Sequence, residues 1–336
     1  MRIAKYLGKR LLTFIPLLIG VILVVFVLVR LLPGDPATRL AGNFAYGDTI
    51  AALRESMGLD KPIWQQFFIY LGNVLQGNLG ESWFTNKPIL DDLIVRFPAT
   101  LELITLSILF SIAIGVPLGI VAAIKPKSIF SRISTGYGFF AGSIADFWFG
   151  LMLVFVFFTT LNWFPAPIGR LDLTITPPLQ ITGFLVIDSL LAGNWNALMN
   201  SIAHLALPVL TLGLINVAPI MKMTLSSMKE VMESDFINHA KVLGLSDKKV
   251  MRYALRNSLP SIVTILGVIY GSLLGGAVLV ETVFGWGGLG QYVTQALVNK
   301  DYSAIQGFVL VATIFSLFIY LFVDLIYMIF DPRIKF

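Results

Sequence analysis

Leu103-Ile-Thr-Leu-Ser-Ile-Leu-Phe-Ser-Ile-Ala-Ile-Gly-Val-Pro-Leu-Gly-Ile-Val-Ala-Ala-Ile124 is the stretch that decides the fold. It holds no charge, and Glu102 and Lys125 bracket it. A helix needs about 20 mostly apolar residues to cross the hydrocarbon core of a bilayer. A helix also satisfies its own backbone polar groups, which lipid cannot do. Five more stretches repeat the pattern: 11–29, 135–161 interrupted only by Asp146, 201–221, 257–280 and 302–323. The expected fold is all-α and integral to the membrane, with six transmembrane helices.

Composition agrees. Of 336 residues, 57% are hydrophobic and only 13% charged, against roughly 25% charged in soluble domains. Cysteine is absent, which excludes disulfides and thiolate chemistry. The first span has basic flanks (Arg2, Lys5, Lys9 and Arg10) but is too long for a signal core and lacks a small-x-small cleavage site, so a retained anchor is expected. With six spans both termini share a side, and that side collects 16 of the 24 Lys and Arg residues. The positive-inside rule then puts both termini in the cytoplasm. Residues 31–98 and 162–200 become the large outer segments, and 173–187 is expected to be part of an outer loop.

The most informative polar stretch lies between the fourth and fifth spans: Glu233-Ser-Asp-Phe-Ile-Asn-His-Ala-Lys-Val-Leu-Gly-Leu-Ser-Asp-Lys-Lys-Val-Met-Arg-Tyr-Ala-Leu-Arg-Asn-Ser-Leu-Pro260. It suggests two helices around a sharp break. Phe236, Ala240 and Leu243 recur at helical spacing. Gly244 sits where a helix end favours a left-handed residue, and Ser246 follows as an N-cap. Leu245 and Val250 bracket it as a hydrophobic staple. Val250, Met251, Ala254 and Leu255 share one face of the second helix, expected to end near Pro260. Such a pair suits a short helix presented to a groove on a partner.

This stretch resembles the EAA motif of importer permeases of the ATP-binding-cassette superfamily, in the form found in di- and oligopeptide permeases. Ala240-Lys-Val-Leu-Gly-Leu-Ser246 and Tyr253-Ala-Leu-Arg-Asn-Ser-Leu-Pro260 carry the likeness, although the Glu-Ala-Ala triplet is Asn238-His239-Ala240 here. Leu31-Leu-Pro-Gly-Asp-Pro36, Met57-Gly-Leu-Asp-Lys-Pro62, Gly77-Asn-Leu-Gly-Glu-Ser82, Phe97-Pro-Ala-Thr-Leu-Glu-Leu103, Glu281-Thr-Val-Phe-Gly-Trp-Gly-Gly-Leu-Gly290, Asp301-Tyr-Ser-Ala-Ile-Gln306 and Asp331-Pro-Arg-Ile334 extend it, in order, along nearly the whole chain. Together they are similar to the B-type subunit of peptide permeases.

The resemblance implies a type I importer fold: an anchoring helix (1–32), an extracytoplasmic segment (33–98), a five-helix core (99–330) with a cytoplasmic coupling loop (225–258), and a short tail (331–336). It implies a prokaryotic inner-membrane location and a peptide cargo. It also implies a second homologous permease subunit, two cytoplasmic ATP-binding subunits and an extracytoplasmic substrate-binding protein. Asp235, Asn238, His239, Ala240, Lys241, Gly244, Leu245, Ser246 and Arg252 are the expected contacts to the ATPase. Relatives of this subunit type also serve nickel, glutathione-like or oligosaccharide cargo.

The absences fit. There is no Gly-x-x-x-x-Gly-Lys-Ser/Thr loop for ATP and no Gly-x-Ser-x-Gly elbow. The two histidines, His204 and His239, lie in different segments, so no metal, cofactor, catalytic or nucleic-acid site is expected. An ion-driven transporter would show paired repeats with broken helices, and a membrane aspartyl protease would need a Gly-x-Gly-Asp context. Neither pattern is present. Ionisable residues inside a membrane are costly, so they mark candidate pathway positions. These are Asp146, in Ser143-Ile-Ala-Asp-Phe-Trp148, with Ser143 and Glu281. Asp146 would favour a cationic group such as a peptide amino terminus. Glu102 and Glu281, at span ends, are expected to reach headgroups.

Overall fold

The computed structural model describes residues 2–31, 47–56 and 58–330. The motifs at 32–36 and 331–334, with Met57, lie outside them. The helices are α1 (Arg2–Leu31), α2 (Gly47–Ser56), α3 (Ile63–Leu75), α4 (Ile89–Ile124), α5 (Ile129–Ala141), α6 (Asp146–Leu153), α7 (Leu185–Leu191), α8 (Trp195–Met232), α9 (Asp235–Val242), α10 (Asp247–Gly276), α11 (Val278–Val283), α12 (Leu289–Val298) and α13 (Tyr302–Phe330). Among the described residues no strand forms, and one isolated bridge pairs Glu81 with Pro88.

The all-helical expectation holds. Five helices are long and apolar enough to cross a membrane, in α1, α4, α8, α10 and α13. The remaining expected span, 135–161, is not one helix. α5 stops at Ala141, a turn covers 142–145, and α6 starts at Asp146 and continues as a π-helix over Val154–Thr160. Asp146 therefore opens a helix instead of sitting in the middle of one. Gly142 and Ser143 are weak helix formers, and an acidic residue suits the first turn of a helix. The irregular segment 161–184 contains no helix, so the stretch at 173–187 is a loop leading into α7.

Two further boundaries differ from expectation. α4 begins at Ile89 and runs without interruption through Pro98 and Glu102. α10 runs through Pro260 to Gly276, so the second helix of the polar loop and the fifth span are one rod. Proline removes one N–H from the ladder, and neighbouring helices in a bundle make that tolerable.

The described residues form two compact units. One contains those within 1–95 and 293–314. Phe26 is buried there, its ring 5.8 Å from Tyr70 in a stack and 5.5 Å from Phe67 edge-on. Asp301, fully buried, accepts from the Ala304 amide at the start of α13, from the Ser82 hydroxyl at 2.7 Å and from the Trp83 amide at 2.8 Å. One carboxylate thus caps a helix and holds the loop ahead of α4.

The other unit contains residues within 96–292 and 315–336. α8 is its spine, with α10, α5, α7 and α6 packed on it. Where α4 meets α8, a Cβ on Gly119 would stand 2.6 Å from Thr224 Cβ and 2.8 Å from the Met221 carbonyl. Only glycine permits that approach, as small residues do between membrane helices. The Ser111 hydroxyl, one turn away from Gly115, donates across to the Gly213 carbonyl at 2.7 Å.

Candidate functional site

The break between α9 and α10 is built as the residues dictate. Gly244 has φ +76°. The Leu245 amide reaches back to the Ala240 carbonyl at 3.2 Å, and the Gly244 amide to Lys241 at 2.9 Å. These two bonds are the Schellman pattern, with the left-handed residue where only glycine avoids a penalty. Leu245 then packs on the same cluster as Ala240, as that motif favours. Ser246 occupies the N-cap position of α10, but its side chain makes no capping bond. Its carbonyl starts the helix instead, accepting from Lys249 and Val250.

A buried cluster roots this turn. Ile237, Ala240, Val250 and Ala254 join Met228 of α8, with Ile120 and Ala123 of α4 packed against them. The staple of Leu245 with Val250 and the apolar face of α10 are both as expected. The buried face of α9 is not. Ile237 and Ala240 point inward, whereas Phe236 is 54% and Leu243 78% exposed. Both sets fit helical spacing, and packing against α8 selects one of them. Phe236 rests edge-on to Tyr253, 6.1 Å away. Val242 and Leu243 make an outward apolar tip. Of the residues expected to contact a partner, Asp235, Asn238, His239, Lys241, Gly244, Ser246 and Arg252 are exposed, Leu245 is half-buried and Ala240 is buried.

A second constellation is built from carboxylates. Glu281 of α11 is fully buried, so it does not reach headgroups. It accepts from the Thr100 hydroxyl at 2.6 Å and from the Gly290 and Gln291 amides at 2.9 and 3.2 Å. It therefore sits on the N-terminus of α12, where an anion is favoured. A Cβ on Gly288 would stand 2.5 Å from its Oε2 and one on Gly290 3.1 Å from it, so these two glycines are bare because the carboxylate fills that space. Gly285 and Gly287 have positive φ and supply tight turns. Burial pushes the Glu281 carboxyl up to about 7, against the pull of the Thr100, Gln291 and Gly290 bonds and the charge of Arg170.

Glu102 is also buried. It pairs with Arg170 and accepts from the Val186 amide at 2.8 Å. Two carboxylates that sequence reasoning missed complete the set. Asp172 binds Asn200 and His204 of α8, the latter at 3.0 Å. The Asn200 bond, and then that of His204, hold Asp172 below the usual carboxylate range. Burial raises Asp188, but the hydroxyl and amide of Thr182 and the Gly183 amide outweigh it and leave a net lowering. No motif flagged these residues, because an acid in an outer polar segment looks like ordinary solvated charge. His204 is buried and bonded to Asp172.

The three candidate pathway residues do not form one group. Glu281's oxygens are taken up in the helix cap, and Asp146 is not among their partners. Asp146 is half-buried and Ser143 exposed, both at the break before α6.

The structure is an all-helical chain with several apolar helices of crossing length and a rooted helix–turn–helix between two of them, and a transport permease fits it. The chain matches the family described as binding-protein-dependent transport system inner membrane component over residues 115–336, and the N-terminal model of such components over residues 3–104. It belongs to that family. It is 42% identical over 333 residues to the dipeptide transport system permease protein DppB of Alkalihalophilus pseudofirmus, across 98% of this chain and 99% of that protein. It is 37% identical to DppB of Escherichia coli over 336 residues, 98% of each chain. It is 33% identical to the glutathione transport system permease protein GsiC of Escherichia coli over 333 residues, 99% of each.

Proposed function

We propose that this chain forms half of the translocation pathway of an ATP-driven importer of di- or oligopeptides, and that separate ATPase subunits drive it from the cytoplasm. One observation carries the coupling role: α9 is rooted on α4 and α8 through Ile237 and Ala240 while Phe236, Val242 and Leu243 face outward. An apolar tip on a rooted helix suits a groove on a partner. Motion of that groove reaches the spans as a rigid-body shift, the basis of alternating access. The relatives named for dipeptides support the cargo. The relative named for glutathione supports a second reading, in which the same machine carries a glutathione-like peptide.

In this arrangement a second permease subunit completes the pathway, a binding protein delivers cargo outside, and the chain carries no hydrolytic site of its own. The α5–α6 pair crosses together as a sixth, broken span, and both termini face the cytoplasm. Asp146, at that break, faces the path and favours the cargo's amino terminus.

Copurification with partners and peptide-stimulated ATPase assays in liposomes test the whole. Leu243→Asp is expected to abolish stimulation while the permease still assembles, and full stimulation in that variant would remove the coupling role. Asp146→Asn is expected to weaken uptake of peptides with a free amino terminus more than uptake of amino-blocked ones. Unchanged uptake of both would remove the pathway role.

A further inference from the structure

α1 crosses with the segment Gly8–Leu28, and Arg30 follows two residues later. Arg30 therefore stands at headgroup depth. Its guanidinium lies 5.2 Å from the centre of the Phe26 ring. Its Nε is sealed from solvent and has no hydrogen-bond partner, and among the described residues the side chain makes no ion pair. Arginine is always charged, and a sealed guanidinium N–H without an acceptor is costly.

Arg30 lines a cavity of about 270 Å³ within the unit that contains residues 1–95 and 293–314. Tyr70, Trp83 and Tyr302 form its aromatic walls, and the amides of Asn73 and Gln306 face it. Among the described residues no carboxylate lines it, and Arg30 is the only charged one that does. The nearby Asp301 is fully buried and engaged by Ser82, Trp83 and Ala304. Gln306 is only 9% exposed. An arginine with no ion pair among the described residues and the mostly buried Gln306 thus line one space.

We infer that this cavity binds the phosphate of an anionic phospholipid, with Arg30 as its counter-ion and Gln306 as a second donor. A guanidinium is suited to bidentate phosphate contact. Tyrosine and tryptophan favour this depth in a bilayer. The adjoining turns of α1 expose Leu23, Val24, Val27 and Leu28, an apolar track for acyl chains beside a polar head site. A free small anion shares the phosphate chemistry but would leave that track unused.

The test uses the full transporter, purified with its partner subunits. Native mass spectrometry after exchange into equal mixtures of phosphatidylglycerol and phosphatidylcholine is expected to show about fivefold enrichment of the anionic lipid, from one unopposed Arg near the surface. Arg30→Gln should lose that enrichment and Arg30→Lys keep part of it. Equal retention by wild type and Arg30→Gln overturns the assignment. Should Arg30→Gln fail to assemble, hydrogen exchange on the wild-type complex decides. Slower exchange at 63–83 and 302–306 in nanodiscs containing phosphatidylglycerol, relative to phosphatidylcholine alone, supports the site. Unchanged exchange overturns it. The same protection from millimolar inorganic phosphate in phosphatidylcholine nanodiscs also overturns it, by making the cavity a small-anion pocket.

Discussion

The α9–α10 turn and the loop system around Glu281 are both irregular backbone next to membrane helices, and they are fixed in opposite ways. The first is held by a purely apolar cluster around Ile237, and its polar residues face out. The second is held by buried carboxylates: Glu281 on the start of α12, and Glu102 with Arg170 and Val186. Apolar contacts are non-directional, so a helix rooted by them can shift with its neighbours and remain packed. Hydrogen bonds to a buried carboxylate have fixed directions and leave costly orphans when broken. The apolar-rooted turn suits the proposed coupling element, and the carboxylate-pinned loops suit a part that stays rigid.

The sharpest way to break this contrast is Glu281→Leu. It leaves the Thr100 hydroxyl and the Gly290 and Gln291 amides without their acceptor, at about 1–3 kcal/mol for each orphan. The expected result is a large drop in thermal stability and poor assembly, read by melting and size-exclusion chromatography in detergent. Glu281→Gln serves as the pH arm. The folded carboxyl has its pKa raised from 4.5 to about 7, so the folded state holds the proton more tightly than the unfolded one. The Glu281 contribution to wild-type stability should therefore fall as pH rises from 4.5 to about 7. The glutamine variant should lose this slope.

Ile237→Ala comes next. It empties a fully buried position of the cluster and should cost about 2–5 kcal/mol. If the turn is a lever, ATPase stimulation in liposomes should fall further than assembly does. Gly244→Ala is smaller, because a left-handed residue with a Cβ costs about 1–2 kcal/mol. It should lower coupling without loss of the complex. Ser246→Ala is expected to change melting by less than about 0.5 kcal/mol. N-cap serines usually matter more, but this side chain makes no capping bond. A large loss in that variant would mean that the turn is held by polar bonds after all, and the contrast would fail.

Much of this was legible in the residues. Uncharged runs of crossing length gave α1, α4, α8, α10 and α13. Gly244 was identifiable because few residues other than glycine accept positive φ, and the Schellman bonds followed. The buried face of α9 was not legible, since 236, 240, 243 and 237, 240 are both helical patterns on an eight-residue helix. The break before Asp146 was hidden because hydropathy averages over a turn as short as 142–145. Glu281 looked like an interfacial acid because its partners, Thr100 and the amides of 290 and 291, could be matched to it only in three dimensions.

By itself the sequence determined an all-helical chain in a bilayer, the order of its spans and the place of its glycine hinge. Those properties depend on local composition and on φ. Tertiary structure alone decided which face of α9 is buried, where the third expected span breaks and which carboxylates are sealed. Each of those depends on what stands opposite a side chain, and partners such as Glu281 and Thr100, or Asp301 and Ser82, are brought together only when the helices pack.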